Sequence, residues 1–311
     1  MDPLSDILTN LDLRGILYFA AEFNPPWGAR VPAFENVVRF HLVIRGQAFV
    51  GLEGSGERIA LSPGDFALIP FGAAHELADS ANGKTFALDR VLEDAGYDGS
   101  GRLVFGVTDR ALQSRLLCGH FTFDHRSPAR LFLNALPPVI LVRQQETALA
   151  AWLDSTVQML ADEEAAPKPG RDAILRRVAE LLFVQAMRHH LNEAKLPSGI
   201  LRGLADPQIA RALAAIHSEP QADWGLETLA SLAGLSRTVF AERFRTAVGE
   251  TPAAYVTAWR LEKARSLLLD GNHTVDDVAS SVGYASTPAF TRAFSSRFGE
   301  PPGAIRRAAR N

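Results

Sequence analysis

Residues of the first half of the sequence carry the donor types of a soft-metal site. Cys118 and His120 stand two positions apart in Leu116-Leu117-Cys118-Gly119-His120-Phe121, and on a strand such positions face one side, so thiol and imidazole converge. With His75, and His41 as a further candidate, they make an N/S set suited to Zn²⁺, the one cofactor the sequence points to. The competing reading is a buried free thiol with histidines hydrogen-bonded in a core or pocket. No paired carboxylates accompany His75, and neither G-x4-G-K-[ST] nor G-x-G-x-x-G after a strand occurs, which weighs against acid-base and nucleotide chemistry. The second half holds a different set. Arg237, Thr238, Ala241, Glu242 and Arg245 form one exposed helix face, and Ser286, Thr287, Thr291, Arg292, Ser295 and Ser296 form another; such residues suit contact with base edges and phosphates of double-stranded DNA.

The elements behind those two faces are a repeat. Leu226 to Pro252 and Val275 to Pro302 spell one pattern twice at an offset of 49 to 50 residues: short helix, turn glycine, longer helix. Leu226, Leu229 and Ala230 make one apolar face ending at Gly234; Val275, Val278 and Ala279 make its counterpart, ending at Gly283. Phe240 and Phe244, then Phe290, Phe294 and Phe298, recur at helical spacing and predict the buried sides of the longer helices. Ser286 is the expected N-cap of the second, with Pro288 in its first turn. Each copy is thus a helix-turn-helix. Between them, Pro252 to Asp270 reads as one helix about 25 Å long, able to hold two recognition helices near one DNA turn apart, about 34 Å.

At these residues the chain resembles the AraC/XylS family of transcription regulators. The match runs through Ala230, Gly234, Ser236, Phe240, Phe244, Gly249, Pro252, Tyr255, Arg260, Ala264 and Leu268, then Val278, Ala279, Gly283, Phe290, Arg292, Phe294, Gly299 and Pro302. Glu242 departs from it, standing where many relatives have Arg. The resemblance implies a sequence-specific DNA-binding regulator, with RNA polymerase as a partner if it activates.

Residues 1–145 differ in style, with short apolar runs broken by turn residues. A helix is expected at Asp2 to Asn10, and strands at 15–21, 37–44, 47–52, 58–61, 65–70, 76–78, 85–90, 102–107 and 115–123, which predicts a β-barrel or jelly roll. Gly64-Asp65 through Pro70-Phe71-Gly72-Ala73-Ala74-His75 fits the G-x5-P-x-G-x2-H pattern and resembles the cupin superfamily, implying that His75 opens a strand facing the interior. Phe40-His41-Leu42 has one histidine where metal-binding cupins carry His-x-His, so an intact cupin enzyme, the alternative function, is not written here. His75, the Cys-Gly-His-Phe stretch and Leu136 to Ile140 also look like one cupin-type sensor subgroup of AraC-like regulators, which implies a small-molecule effector.

The expected organisation is a cupin-like sensor at 1–145, a helical dimerisation and linker segment at 146–204, and an all-α DNA-binding domain with two helix-turn-helix motifs at 205–311. In the middle piece, helices are expected at Thr147 to Ala161 and Arg171 to Lys195. Ile174, Val178, Leu181, Leu182 and Gln185 stripe the second, widened by Phe183, Val184 and Met187, a surplus that predicts a homodimer. The 311 residues are 47% hydrophobic, enough for two cores, and the formal net charge is −3. Residues 205–311 hold 12 Lys+Arg against 11 Asp+Glu, net +1, so any DNA footprint is local rather than global. A single cysteine, no basic leader and no run of 18 apolar residues predict a cytoplasmic protein without a membrane span.

Overall fold

A computed structural model describes residues 3–11, 14–99, 102–106, 114–123, 130–144, 155–156, 158–159, 162–163, 169–192, 196 and 198–310. The chain forms two compact units. One comprises Leu13–Phe123 and Leu136–His190, the other Met1–Asp12, Asp124–Ala135 and Leu191–Asn311. The middle segment expected at 146–204 is therefore shared between them.

The first unit is two facing sheets. Strands β1 (Arg14–Phe23), β3 (Val37–Arg45), β6 (Phe66–Ile69), β9 (Leu103–Phe105), β10 (Ser114–Thr122) and β11 (Ile140–Val142) form a six-stranded sheet in the order β11-β6-β3-β10-β1-β9. Strands β2 (Gly28–Val31), β4 (Ala48–Leu52), β5 (Ile59–Leu61), β7 (His75–Ala78) and β8 (Phe86–Ala87) form a five-stranded sheet in the order β5-β4-β7-β2-β8. Alternation sorts each strand between two cores. Val43, Ala67, Leu116 and Cys118 meet Ala29, Val50, Leu61 and Leu77 between the sheets. Phe40 and Phe121, on the opposite face of the large sheet, meet as tilted rings with centroids 5.0 Å apart, and Phe183 packs on Phe121 at 5.1 Å. Phe183 belongs to the 21-residue helix Arg171–Leu191.

The G-x5-P-x-G-x2-H stretch is a backbone requirement. Gly64 has φ +85° and Gly72 φ +56°, and a Cβ on Gly72 would stand 2.1 Å from the Phe34 carbonyl oxygen. Asp65 holds the turn by accepting from the Ser62 and Gln144 amides and from Arg143.

Twelve α-helices have both bounds among the described residues. They are α1 (Pro3–Leu11), α2 (Leu88–Asp94), α3 (Arg130–Asn134), α4 (Arg171–Leu191), α5 (Ile200–Ala205), α6 (Pro207–Ser218), α7 (Leu226–Ala233), α8 (Arg237–Val248), α9 (Pro252–Leu269), α10 (Val275–Ser281), α11 (Thr287–Phe298) and α12 (Pro302–Arg310). Asp206 caps α6, Ser236 caps α8, Thr251 caps α9, and Thr274 with Asp277 makes a capping box on α10. α1 packs on α6, with Ile7 and Leu11 buried.

Several expectations change. Only Phe86–Ala87 of 85–90 is strand; α2 follows, because Leu88, Val91, Leu92 and Ala95 keep a helical period. The short strands β2 and β11 were not expected. Leu226 is exposed, and the buried stripe of α7 is Leu229, Ala230 and Ala233. Ser286 stands at the N-cap of α11, but its side chain makes no capping bond. The helix expected at 147–161 lies mostly outside the described residues.

The paired turn glycines differ in surroundings. Gly234 (φ +68°) has only the Arg211 tip at 4.0 Å, whereas a Cβ on Gly283 (φ +84°) would meet the Gln221 Cα and carbonyl at 2.9 Å. Gly234→Ala should cost only left-handed strain, about 1 kcal/mol, and Gly283→Ala about 1–3 kcal/mol more. Urea unfolding of the helical unit checks this; equal midpoint shifts would contradict it.

Candidate nucleic-acid interface and sensor pocket

In the helical unit each recognition helix is set by the phenylalanines beneath it. Phe240 and Phe244 are fully buried, their rings 5.5 Å apart, and Phe244 meets Tyr255 of α9 edge-on at 5.8 Å. Phe290 and Phe294 repeat this at 5.4 Å, within a core shared with Leu261, Ala264 and Leu268 of α9. α9 thus serves both motifs. Arg260, midway along it, donates to the carbonyls of Pro220, Ala222 and Gly283, joining the approach to α7 to the turn before α11.

With the buried sides fixed, the outer faces follow. Arg237, Thr238, Glu242 and Arg245 are exposed on α8, with Ala241 half-buried; Ser286 and Arg292 are exposed at α11, with Thr287, Thr291 and Ser295 half-buried. Two further arginines are committed within the protein: Arg243 bonds Asp206 at 2.6 Å and Arg297 pairs with Glu262 at 3.0 Å. Thr287 donates to Asp276. Among the described residues Arg237, Arg245 and Arg292 have no ion-pair partner, so three guanidiniums stand ready for an external anion.

In the sheet unit, register places the donor residues on adjacent rungs. Cys118 pairs with His41 across β10 and β3, and His120 with Arg39 on the next inward-facing rung. His75, at the start of β7, reaches them from the other sheet, as expected from the motif. The hydrogen bonds have one consistent direction. The Ala73 carbonyl only accepts, so His75 Nδ1 donates to it (2.8 Å); His75 Nε2 then accepts from His41 Nε2 (2.8 Å), and His41 Nδ1 accepts the Cys118 thiol proton (3.1 Å). Every member is neutral. Burial lowers His41 well below the usual imidazole range and His75 to about 4, and pushes the Cys118 thiol up to about 12.

This arrangement bears on the metal set His75, Cys118 and His120. His41 lies between His75 and Cys118 and spends one ring nitrogen on each. The 2.8 Å between imidazole nitrogens is shorter than the roughly 3.3 Å between two ligands of a tetrahedral zinc. Among the described residues no group of three His, Cys, Asp or Glu is placed to hold a metal ion. The buried Arg39 cation further opposes a divalent ion there. His75, Cys118 and His120 as placed do not fit a zinc centre; His75, His41 and Cys118 instead form one hydrogen-bonded chain, of which His120 is not a member.

Sequence reasoning passed over Arg39. Its signal was parity: two positions before His41 on a strand, it must face the same interior. The commitments of Arg243 and Arg297 had no such signal, since Asp206 and Glu262 are remote in sequence.

A cupin family model matches residues 2–192 and a helix-turn-helix domain model residues 229–308. The chain is 34% identical, over 99% of its length and 98% of the relative's, to a protein of Streptomyces lividans described as an AraC-like transcription regulator. It is 31% identical, over 97% of its length and 98% of the relative's, to the HTH-type transcriptional regulator AlkR of Acinetobacter baylyi. Among solved structures, the DNA-binding domain of AdpA in complex with a target DNA is 33% identical, covering 34% of this chain and 94% of that one, with a TM-score of 0.32.

Because burial alone protects Cys118, alkylation cannot by itself report metal ligation. A thiol pKa raised from 9 to about 12 cuts the thiolate fraction at pH 8 roughly a thousandfold, so iodoacetamide should label the folded protein at least a hundredfold more slowly than urea-unfolded protein. Protein purified without a metal-affinity tag should hold less than about a tenth of an equivalent of zinc. Stoichiometric zinc, or rapid labelling of native Cys118, would contradict the neutral chain.

Proposed function

The chain belongs to the AraC-like transcription regulators that carry a cupin domain, and we propose that it acts in the cytoplasm as a homodimer whose DNA affinity is set by a small molecule in the sheet unit. One observation carries the DNA part: a duplicated helix-turn-helix hung on one helix, each copy presenting exposed side chains on a fully cored recognition helix. Arg292 suits the O6 and N7 edge of guanine, and Glu242, at the corresponding place in α8, suits the amino group of cytosine. Arg237 and Arg245 suit phosphates or further bases. If the protein activates, RNA polymerase is its second macromolecular partner.

Homodimerisation is supported by α4. Leu175, Leu182, Phe183 and Met187 are spent on its own unit, while Ile174 (38% exposed) and Leu181 (44% exposed), two turns apart, remain on the outer side. The regulator reading is preferred to a cupin enzyme because the ring nitrogens of His41 and the thiol of Cys118 are engaged with one another rather than arrayed around an open position. Among the described residues no helix is long and apolar enough to cross a membrane.

Two outcomes test this. Arg292→Ala should weaken operator binding by about 1–3 kcal/mol with loss of discrimination at one base pair, whereas Arg297→Ala, whose side chain is held by Glu262, should act mainly on stability. Binding titrations over operator variants distinguish them, and an Arg292→Ala protein of wild-type affinity at every salt concentration would sink the assignment. Leu181→Asp should turn a dimer into monomers in sedimentation without unfolding it. Leu182→Asp would not report the same thing, being buried in its own unit. A wild-type protein monomeric at micromolar concentration would end the dimer reading.

A further inference from the structure

The sheet unit contains a cavity of about 290 Å³ whose walls come from both sheets and from α2. Phe23 belongs to the large sheet, Val31 and Leu77 to the small one, and Leu88 and Leu92 to α2. An apolar cavity of about 150 Å³ stays dry and takes up benzene, so roughly twice that volume suits a body of about eight to ten non-hydrogen atoms. That is the low end of small-molecule sites.

The polar groups that border the cavity have little to offer a ligand. Both ring nitrogens of His41 and the thiol proton of Cys118 are spent inside the chain that ends on the Ala73 carbonyl, and every member of that chain is neutral. Arg39 and Tyr97 also border the cavity and have interactions of their own within the protein, so no ligand group is assigned to them. Asp89 is exposed, and water solvates and screens its carboxylate. What the cavity does present is hydrocarbon on three sides.

That wall selects by polarity. A polyol would strand hydroxyls against phenylalanine, valine and leucine, and an ion would give up its hydration for side chains that cannot replace it. A neutral apolar body loses no hydrogen bond on entry and gains contact with both sheets and α2. We propose that this cavity binds one small neutral apolar molecule, a hydrocarbon of about eight to ten carbons or a derivative of like polarity, held by Phe23, Val31, Leu77, Leu88 and Leu92. This names the ligand class of the effector site and rests on the reading of the sheet unit as the sensor half of the regulator. Phe23 also stacks on the buried Trp27 ring at 4.3 Å, so a ligand lying against Phe23 changes the surroundings of an indole whose emission can be followed.

The test is calorimetric titration of the full chain, without DNA, with three probes of nearly equal size: propylbenzene, phenylacetate and phenethylammonium. Propylbenzene should bind at one equivalent per chain, at least tenfold more tightly than either ion, and should shift the tryptophan emission. Trp27→Phe should lose that shift and keep the calorimetric binding. Leu92→Trp fills the chamber from α2 at a half-buried position and should weaken propylbenzene at least tenfold. The wild-type comparison of the three probes stands by itself if a variant fails to fold. No binding of propylbenzene, either ion binding as tightly, or a folded Leu92→Trp protein of wild-type affinity overturns the proposal. Because no DNA is present, that failure leaves the DNA-binding reading intact, whereas propylbenzene binding without an effect on operator affinity would uphold the site and fail the regulatory reading alone.

Discussion

Helix α9 must complete two hydrophobic cores at once, and the geometry of the DNA-binding unit follows from that constraint. Tyr255, Val256 and Trp259 near its start are buried with the first motif, Trp259 stacking on His217 at 3.8 Å and Tyr255 bonding His217 at 2.7 Å. Leu261, Ala264 and Leu268 are buried with the second. Arg260 sits where the two sets meet and satisfies three carbonyls that would otherwise need other donors. With 18 residues, α9 is about 27 Å long, so the separation of α8 and α11 is a property of one rod rather than of a flexible linker.

The charge distribution follows the same economy. A chain of net charge −3 gains little from its overall field, so attraction to DNA must come from a few placed arginines. Arg243 and Arg297 are turned back to Asp206 and Glu262, where they hold helix positions. Arg237, Arg245 and Arg292 are left for the partner. Such a surface favours base discrimination over indiscriminate phosphate binding, because few phosphate contacts mean a weak salt-dependent background.

The helical repeat was legible in the sequence because its signals are local: Phe240 and Phe244, Gly234 and Gly249, and Pro252 at N1 each state a turn or a face within a few residues. The sheet unit was legible in part. Strands bounded by turn glycines were read, and His75 was placed correctly by the Gly64 to His75 pattern, since those glycines are required by close backbone approach. Strands β2 and β11 were not read, being three or four residues long and stabilised by pairing with β7 and β6 rather than by their own pattern. The donor cluster shows the same divide. Alternation put Cys118 and His120 on one face, but the fact that His41 would stand between Cys118 and His75 depends on how two sheets face each other, which no local spacing encodes. Arg39 was readable by parity and was passed over.

The central proposal is that one protomer of the proposed dimer reads two successive major grooves on a single face of the duplex. It is tested most directly by a chemical-protection footprint of the full chain on its operator, probing guanine N7 in the major groove and the sugar backbone. The account predicts two protected major-groove patches per protomer, about 10–10.5 base pairs apart on the same face. With Arg292→Ala, one of the two patches should be lost while the other remains. A single patch per protomer, or two patches about half a turn apart on opposite faces, would contradict it.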